Sequence, residues 1–257
     1  MSQFGLTRLP NAEALARVVA RAWLDEVEQA RNAGRECHVA LSGGRIASAL
    51  FQAVAGQARA RQAQLGHVHF FWADERCVPP EDSQSNYRVA RDFLFGPLQI
   101  SEKRIHRIRG ELLPEAAARE ATATLRQLVP PVHSGLPVLD LVLLGMGEDG
   151  HVASLFPNEQ PAAVSEPAVY RAVVAPKPPP HRVTLDYAVL AAARQAWVLV
   201  AGPGKEQALQ ESLRPDGQTP LARLLRYRTF TRLFCDSGRP QSEPGACASR
   251  RQARATA

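Results

Sequence analysis

The run Gly145-Met146-Gly147-Glu148-Asp149-Gly150-His151 places a carboxylate and an imidazole two residues apart, among glycines that let the backbone turn sharply. A histidine beside an ionised carboxylate can take a proton from water, and the carboxylate steadies the imidazolium that forms. His151 is therefore a candidate general base and Asp149 its orienting group. The plain alternative is a Gly-rich turn carrying a solvated His and Asp.

Three further segments carry chemistry. Asp74-Glu75-Arg76 follows the apolar run His67 to Trp72, and three adjacent charges at the end of a buried strand are expensive without a partner. Arg76 could polarise a carbonyl or hold an oxyanion; in the bland reading the segment is a solvated loop and Ser85 caps the next helix. Leu41-Ser42-Gly43-Gly44-Arg45 reads as strand, Gly-Gly turn and helix start, which presents backbone N–H groups to an anion, although a plain tight turn has the same residues. It lacks the G-x-G-x-x-G and Walker patterns, which disfavours a nucleotide. Lys205 follows a strand and opens a helix, where a cation opposes the helix dipole unless an anion lies beside it. Only three lysines occur among 31 basic residues, so this position points to a phosphate, with a solvated surface lysine as the alternative.

The elements that must carry these segments alternate between short apolar runs and stretches of helical period. Strands are predicted at Cys37 to Leu41, His67 to Trp72, Val138 to Leu144, Tyr170 to Val174, Ala196 to Ala201 and Thr229 to Cys235. Helices are predicted at Asn11 to Ala33, Ile46 to Val54, Asn86 to Phe95, Pro114 to Leu128, Tyr187 to Ala193, Lys205 to Leu213 and Pro220 to Arg226. In the first helix Leu15, Val18, Val19, Ala22 and Trp23 form the buried face. The pattern is that of an α/β fold, an open, mostly parallel Rossmann-like sheet with helices on both faces. In such a sheet ligands bind beyond the carboxyl ends of the strands, where all four segments fall.

At 257 residues and 45% hydrophobic content the chain can bury a sizeable core. We expect one catalytic domain over residues 1–236 and a disordered basic tail over residues 237–257, which is rich in Ser, Gly, Pro, Ala and Arg. The tail carries four Arg against one Glu, half of the formal charge of +6. The remaining balance suits a small anionic substrate, and no aromatics interleave with the basic residues as a nucleic-acid groove would need. Cys37, Cys77, Cys235 and Cys247 are scattered without a C-x-x-C pair, so free thiols are expected, with neither zinc nor a disulfide framework. No apolar run is long enough for a membrane span, and the first residues lack a secretory layout. A cytoplasmic location follows.

Taken together, Asp74-Glu75-Arg76 with Val78-Pro79-Pro80 and Ser85-Asn86-Tyr87, then Gly145-x-Gly147-x-Asp149-Gly150-His151 running into Ala153-Ser154-Leu155-Phe156-Pro157, resemble the signature segments of the 6-phosphogluconolactonase family. The likeness continues in order through Pro178-Pro179-Pro180-His181-Arg182-Val183-Thr184-Leu185 and Gly202 to Lys205. It implies hydrolysis of 6-phospho-D-glucono-1,5-lactone to 6-phospho-D-gluconate in the oxidative pentose phosphate pathway, with no metal or organic cofactor. It also implies roles: His151 as base, Asp149 as its partner, Arg76 and Asp74 near the lactone, and Ser42, Gly43, Gly44, Arg182 and Lys205 on the substrate, mainly its phosphate.

The chain departs from the pattern after Gly44, where the family continues Ser-Thr-Pro and Arg45-Ile46-Ala47 stands here. Arg45 either supplies a replacement cation or faces solvent. The related glucosamine-6-phosphate deaminase/isomerase group resembles Gly-His followed by Ile-Ala-Phe-Asn-Glu-Pro, whose Glu serves ring opening, and Val152 to Pro157 offers no carboxylate there. A non-catalytic sugar-phosphate-binding protein on the same fold is the other alternative, although both His151 and Asp149 are retained. Nothing in the sequence fixes an oligomeric state.

Overall fold

The computed structural model describes residues 3–131, 135–157 and 168–236; the expected tail and Cys247 lie outside them. The chain begins with an edge strand, β1 (Gln3–Leu9), and a long helix, α1 (Ala12–Asn32). Asn11 starts that helix by accepting a hydrogen bond from the Ala14 amide at 2.8 Å. Leu15, Val19, Trp23 and Val27 bury their side chains at helical spacing. Val18, expected on that face, is exposed instead, because the buried stripe turns toward Ala16, Ala20 and Leu24.

The sheet strands follow as β2 (Cys37–Leu41), β3 (Val68–Trp72), β5 (Leu141–Gly145), β8 (Gln195–Val200) and β9 (Phe230–Asp236). With β1 they form one parallel sheet in the order β1-β9-β8-β5-β2-β3, flanked by helices. Its central strands are nearly continuous apolar runs, as strands covered on both faces must be. From β2 the chain steps to β3 on one side, while β5 takes the other side. The loops leaving β2 and β5 therefore diverge, and the crevice between them is where a ligand fits in an open sheet.

A second sheet stands over that crevice. β4 (Asp74–Arg76), β6 (Tyr170–Val174) and β7 (His181–Leu185) pair antiparallel in the order β4-β7-β6. Asp74 to Arg76 are thus not a loop but a three-residue strand, separated from β3 by Ala73 alone. Ala73 is wholly buried and bonds to both sheets: its N–H donates to Leu41 of β2 at 2.7 Å, and its carbonyl accepts from Leu185 of β7 at 2.8 Å.

The remaining helices are α2 (Ala47–Arg61), α3 (Asn86–Ala90), the single turn α4 (Gly96–Leu98), α5 (Pro114–Leu128), α6 (Tyr187–Ala192), α7 (Glu206–Leu213) and α8 (Pro220–Tyr227). Helix α2 runs past its expected end at Val54 because Ala55 and Ala58 remain buried. The expected helix Asn86 to Phe95 is α3 followed by a π-helical turn over Arg91–Phe95. Among the described residues no helix is long and apolar enough to cross a membrane, and Cys37, Cys77 and Cys235 are free thiols.

Candidate active site

The loop after β5 closes on itself: Gly147 N–H donates to the His151 carbonyl at 2.9 Å and Gly150 N–H to the Gly147 carbonyl at 3.1 Å. Glycine is required twice here. A Cβ on Gly147 would lie 1.9 Å from His151 Nδ1, and Gly150 has φ +77° with the Thr219 side chain against it. The tight turn brings Asp149 Oδ1 onto His151 Nδ1, and the same oxygen accepts the His151 amide at 3.2 Å.

With Nδ1–H donated to the carboxylate, Nε2 holds the lone pair of a neutral imidazole. Burial pushes the Asp149 carboxyl up, but the imidazole it bonds and the nearby Lys177 outweigh this and hold it below the ordinary carboxylate range. The Phe156 ring lies 4.8 Å from the imidazole and limits its motion.

Cations gather around this imidazole. Lys177, from the turn between β6 and β7, places Nζ 3.5 Å from His151 Nδ1 and 5.5 Å from the Phe156 centroid. Arg182 lies over the same ring at 5.5 Å and is the register partner of Arg76 across β4 and β7. Arg182 is 3% exposed, donates to the Pro179 carbonyl at 3.0 Å, and is lowered from its ordinary pKa by burial and then by Arg76. Arg76 donates through Nη1 to the Gln84 carbonyl at 2.6 Å, while its buried Nε has no partner among the described residues.

The two acidic neighbours of Arg76 serve different ends. Asp74 Oδ2 accepts from the Ser154 hydroxyl at 2.7 Å, tying β4 to the segment after His151. Glu75 is buried and accepts from the amides of Arg76, Asn86 and Tyr87 at 2.8, 2.8 and 2.7 Å and from the Ser85 hydroxyl at 3.2 Å. Burial nevertheless raises its pKa to about 7. Glu75 is thus a clamp that knots residues 77–85 back onto β4. Ser85 also caps α3, accepting the Arg88 amide at 3.2 Å, so the expected cap is present, although Asp74 and Glu75 are buried in a strand and do not form a solvated loop.

At the other end of the cleft, Gly43 comes so close to Asn86 that a Cβ there would lie 1.8 Å from Asn86 Oδ1, and Gly44 has φ +97°. Asn86 is fixed by donating to the Asp74 carbonyl at 2.8 Å. The Ser42 hydroxyl is buried and unpartnered among the described residues. Lys205 is 9% exposed and makes no ion pair among the described residues; burial, then the charge of Arg45, lowers its pKa. The Arg45 guanidinium is paired with the Glu148 carboxylate.

Of the residues singled out in the sequence, Ser42, Gly43, Gly44, Asp74, Arg76, His151, Arg182 and Lys205 line one cleft, and Asp149 stands behind His151. Arg182 lies beside Arg76 and Phe156, so it is not confined to the Lys205 end. Sequence reasoning passed over two residues: Asn86, which lines the cleft, and Lys177, which reads only as the start of a proline run. Among the described residues no group of three or more His, Cys, Asp or Glu side chains could hold a metal ion.

Residues 10–233 match the family model for glucosamine-6-phosphate isomerases/6-phosphogluconolactonase. The chain belongs to this family. It is 32% identical over 212 residues to the 6-phosphogluconolactonase of Streptomyces coelicolor, a match covering 80% of this chain and 81% of that one. Its fold superposes on the crystal structure of the devB protein with TM-score 0.81 at 34% identity, covering 91% of this chain and 97% of that one. The 6-phosphogluconolactonase from Thermotoga maritima gives TM-score 0.76 at 25% identity, covering 91% and 100%. This family's name spans two chemistries, and the residues after His151 bear on the choice: counted from Gly150-His151, Phe156 stands where the deaminase pattern has its ring-opening Glu, and its ring packs against the imidazole at 4.8 Å.

Proposed function

We propose that this protein is a 6-phosphogluconolactonase, hydrolysing 6-phospho-D-glucono-1,5-lactone to 6-phospho-D-gluconate. The observation that carries the reading is the His151 imidazole, bonded through Nδ1 to Asp149 and opening on a cleft lined by Arg76, Arg182, Arg45 and Lys205. A lactone carbonyl is ready for attack, so one base is sufficient. His151 Nε2 takes a proton from water as its oxygen adds to C1, and the oxyanion that forms lies against Arg76. Collapse of the tetrahedral intermediate breaks the bond from C1 to the ring oxygen. The imidazolium returns its proton to that oxygen, and the acid product ionises.

Ser42, Gly43, Gly44 and Lys205 are assigned to the phosphate. An unpartnered buried hydroxyl and a desolvated ammonium both gain from a dianion at that place. We assign residues 1–236 to one catalytic domain, supported by the continuous hydrophobic cluster from Leu15 to Cys235. A cytoplasmic location fits the free thiols.

The test is disappearance of freshly generated lactone, corrected for spontaneous opening, with and without chelator. Turnover that survives chelation supports the reading. Absence of turnover above the spontaneous rate overturns it, and turnover abolished by chelator and restored by zinc overturns its metal-free part.

A further inference from the structure

Three loops meet at the mouth of the cleft, and one ion pair spans them. Arg45, on the loop after β2, is paired with Glu148, on the loop after β5 and adjacent to Asp149. Both side chains lie over the Gly202-Pro203-Gly204 turn that leads into Lys205. A Cβ on Gly204 would sit 3.4 Å from Glu148 Cδ, and one on Gly202 would sit 3.8 Å from Arg45 Nη1. Positive φ angles of +92° and +82° keep these two positions glycine-like. Arg45 lines the same cleft as Lys205, and its charge is one of the causes that lower the Lys205 pKa.

Two cations therefore converge on one spot, and the anion now satisfying the guanidinium is a protein carboxylate. That pair is easily broken. Its partners are 64% and 56% exposed, and ion pairs at such exposure hold weakly. A phosphate monoester carries close to two negative charges and matches the guanidinium fork, so it outcompetes a single solvated carboxylate.

We infer that Glu148 is a placeholder for the substrate phosphate: on binding, the phosphate takes Arg45 from Glu148, making Arg45 a specificity-determining residue and Glu148 an internal competitor. This rests on the sugar-phosphate reading of the site. The exchange gives the two residues opposite effects on affinity. Loss of Arg45 removes a phosphate ligand, whereas loss of the Glu148 charge frees that ligand from its competitor.

The experiment compares wild type, Arg45→Ala, Arg45→Gln, Glu148→Gln and the double variant Arg45→Gln/Glu148→Gln. It measures inorganic phosphate binding by calorimetry and KM for the phosphorylated lactone. Both arginine variants are expected to weaken phosphate binding and raise KM about tenfold, the size of one charge-assisted hydrogen bond. Glu148→Gln is expected to tighten phosphate binding several-fold and lower KM. The double variant should match Arg45→Gln alone, because without the guanidinium the carboxylate has nothing to withhold.

Arginine and glutamate variants that shift phosphate affinity in the same direction make the pair merely structural and overturn the proposal, as does affinity unmoved in both. The phosphate measurement does not depend on turnover. Wild type that binds phosphate with these opposite responses but hydrolyses no lactone leaves the exchange standing and removes the hydrolase reading alone.

Discussion

Arg76 and Arg182 stand directly opposite each other across the antiparallel pair β4 and β7, so two guanidiniums share one face, and the charge of Arg76 is felt at Arg182. Like charges in register cost roughly 0.2–1 kcal/mol, a cost that a bound anion removes. The substrate end of the cleft is therefore built at the expense of the empty fold. We expect 6-phosphogluconate to raise the thermal midpoint, by the equivalent of about 2.7 kcal/mol at a hundred times its Kd. In Arg76→Gln the rise should shrink and kcat should fall roughly 10²–10³-fold, as when an oxyanion donor is lost. An unchanged kcat in that variant removes Arg76 from the reaction.

His151→Ala should lose on the order of 10²-fold or more in kcat with KM little changed, the mark of general-base loss with binding groups intact. Asp149→Asn should be milder, since the carboxylate orients a ring that Phe156 also confines. In wild type, kcat/KM should fall in acid through one group. Asp149 is held ionised below the ordinary carboxylate range, so it adds no second limb near that of the imidazole. Steady-state kinetics across pH checks both points.

Lys177 lies 3.5 Å from His151 Nδ1 and helps hold the Asp149 carboxyl below the ordinary carboxylate range. Replacing it with Met keeps the chain packed on Phe156 and removes the charge. KM for the lactone should then rise several-fold, as when a cation beside an anionic substrate is lost. Steady-state kinetics with KM and kcat both unchanged would remove Lys177 from the site.

Glu75→Gln is isosteric yet should destabilise the protein by about 1–3 kcal/mol. Each carboxylate oxygen receives two donors, Oε1 from the Arg76 and Asn86 amides and Oε2 from the Tyr87 amide and Ser85 hydroxyl. An amide group has one oxygen, so in either orientation its NH2 faces backbone N–H groups. Urea unfolding at neutral pH measures the loss, and a difference within error rejects the clamp.

At the amino ends of β2 and β3, far along the strands from the cleft, His38, His69 and His106 stack at 5.3 and 5.1 Å. Burial, then the neighbouring imidazoles and Arg104, pushes His106 down from 6.5 to about 4. The unfolded chain thus takes up this proton first. Stability from this group is whole above 6.5 and is lost as pH falls toward about 4. Glu75 works the other way, since its raised pKa favours the fold as pH falls from about 7 toward 4.5. The two must be separated by a variant. His106→Gln should show a shallower loss of stability than wild type over that window, read from urea midpoints, and parallel curves would dismiss the stack as a titrating element.

The sequence was most legible where burial is symmetric. Strands such as Leu141–Gly145 lie inside the sheet and announce themselves as apolar runs, and the glycines of the loop after β5 mark its turn. It was least legible in the second sheet. Asp74-Glu75-Arg76 reads as a polar loop because its charges are satisfied by residues that come close only after folding, Ser154 and Asn86 among them. Edge strand β1, with Gly5, Thr7 and Arg8 breaking its apolar pattern, left no clear signal. Lys177 lies 26 positions from His151, and only the turn between β6 and β7 brings it back.

Ala73 decides how this cleft can behave. One wholly buried residue carries the chain from the large sheet to the small one and is bonded to both, to Leu41 on one side and Leu185 on the other. The wall bearing Arg76 and Arg182 is therefore riveted to the floor rather than hinged upon it. Swinging it outward would break both bonds in a place water does not reach. Access must be governed at the rim, by loops and side chains, and the aperture between wall and floor is fixed when the chain folds. A single inserted residue beside Ala73 would reverse which face of β4 looks into the cleft and turn both guanidinium and reaction away from each other.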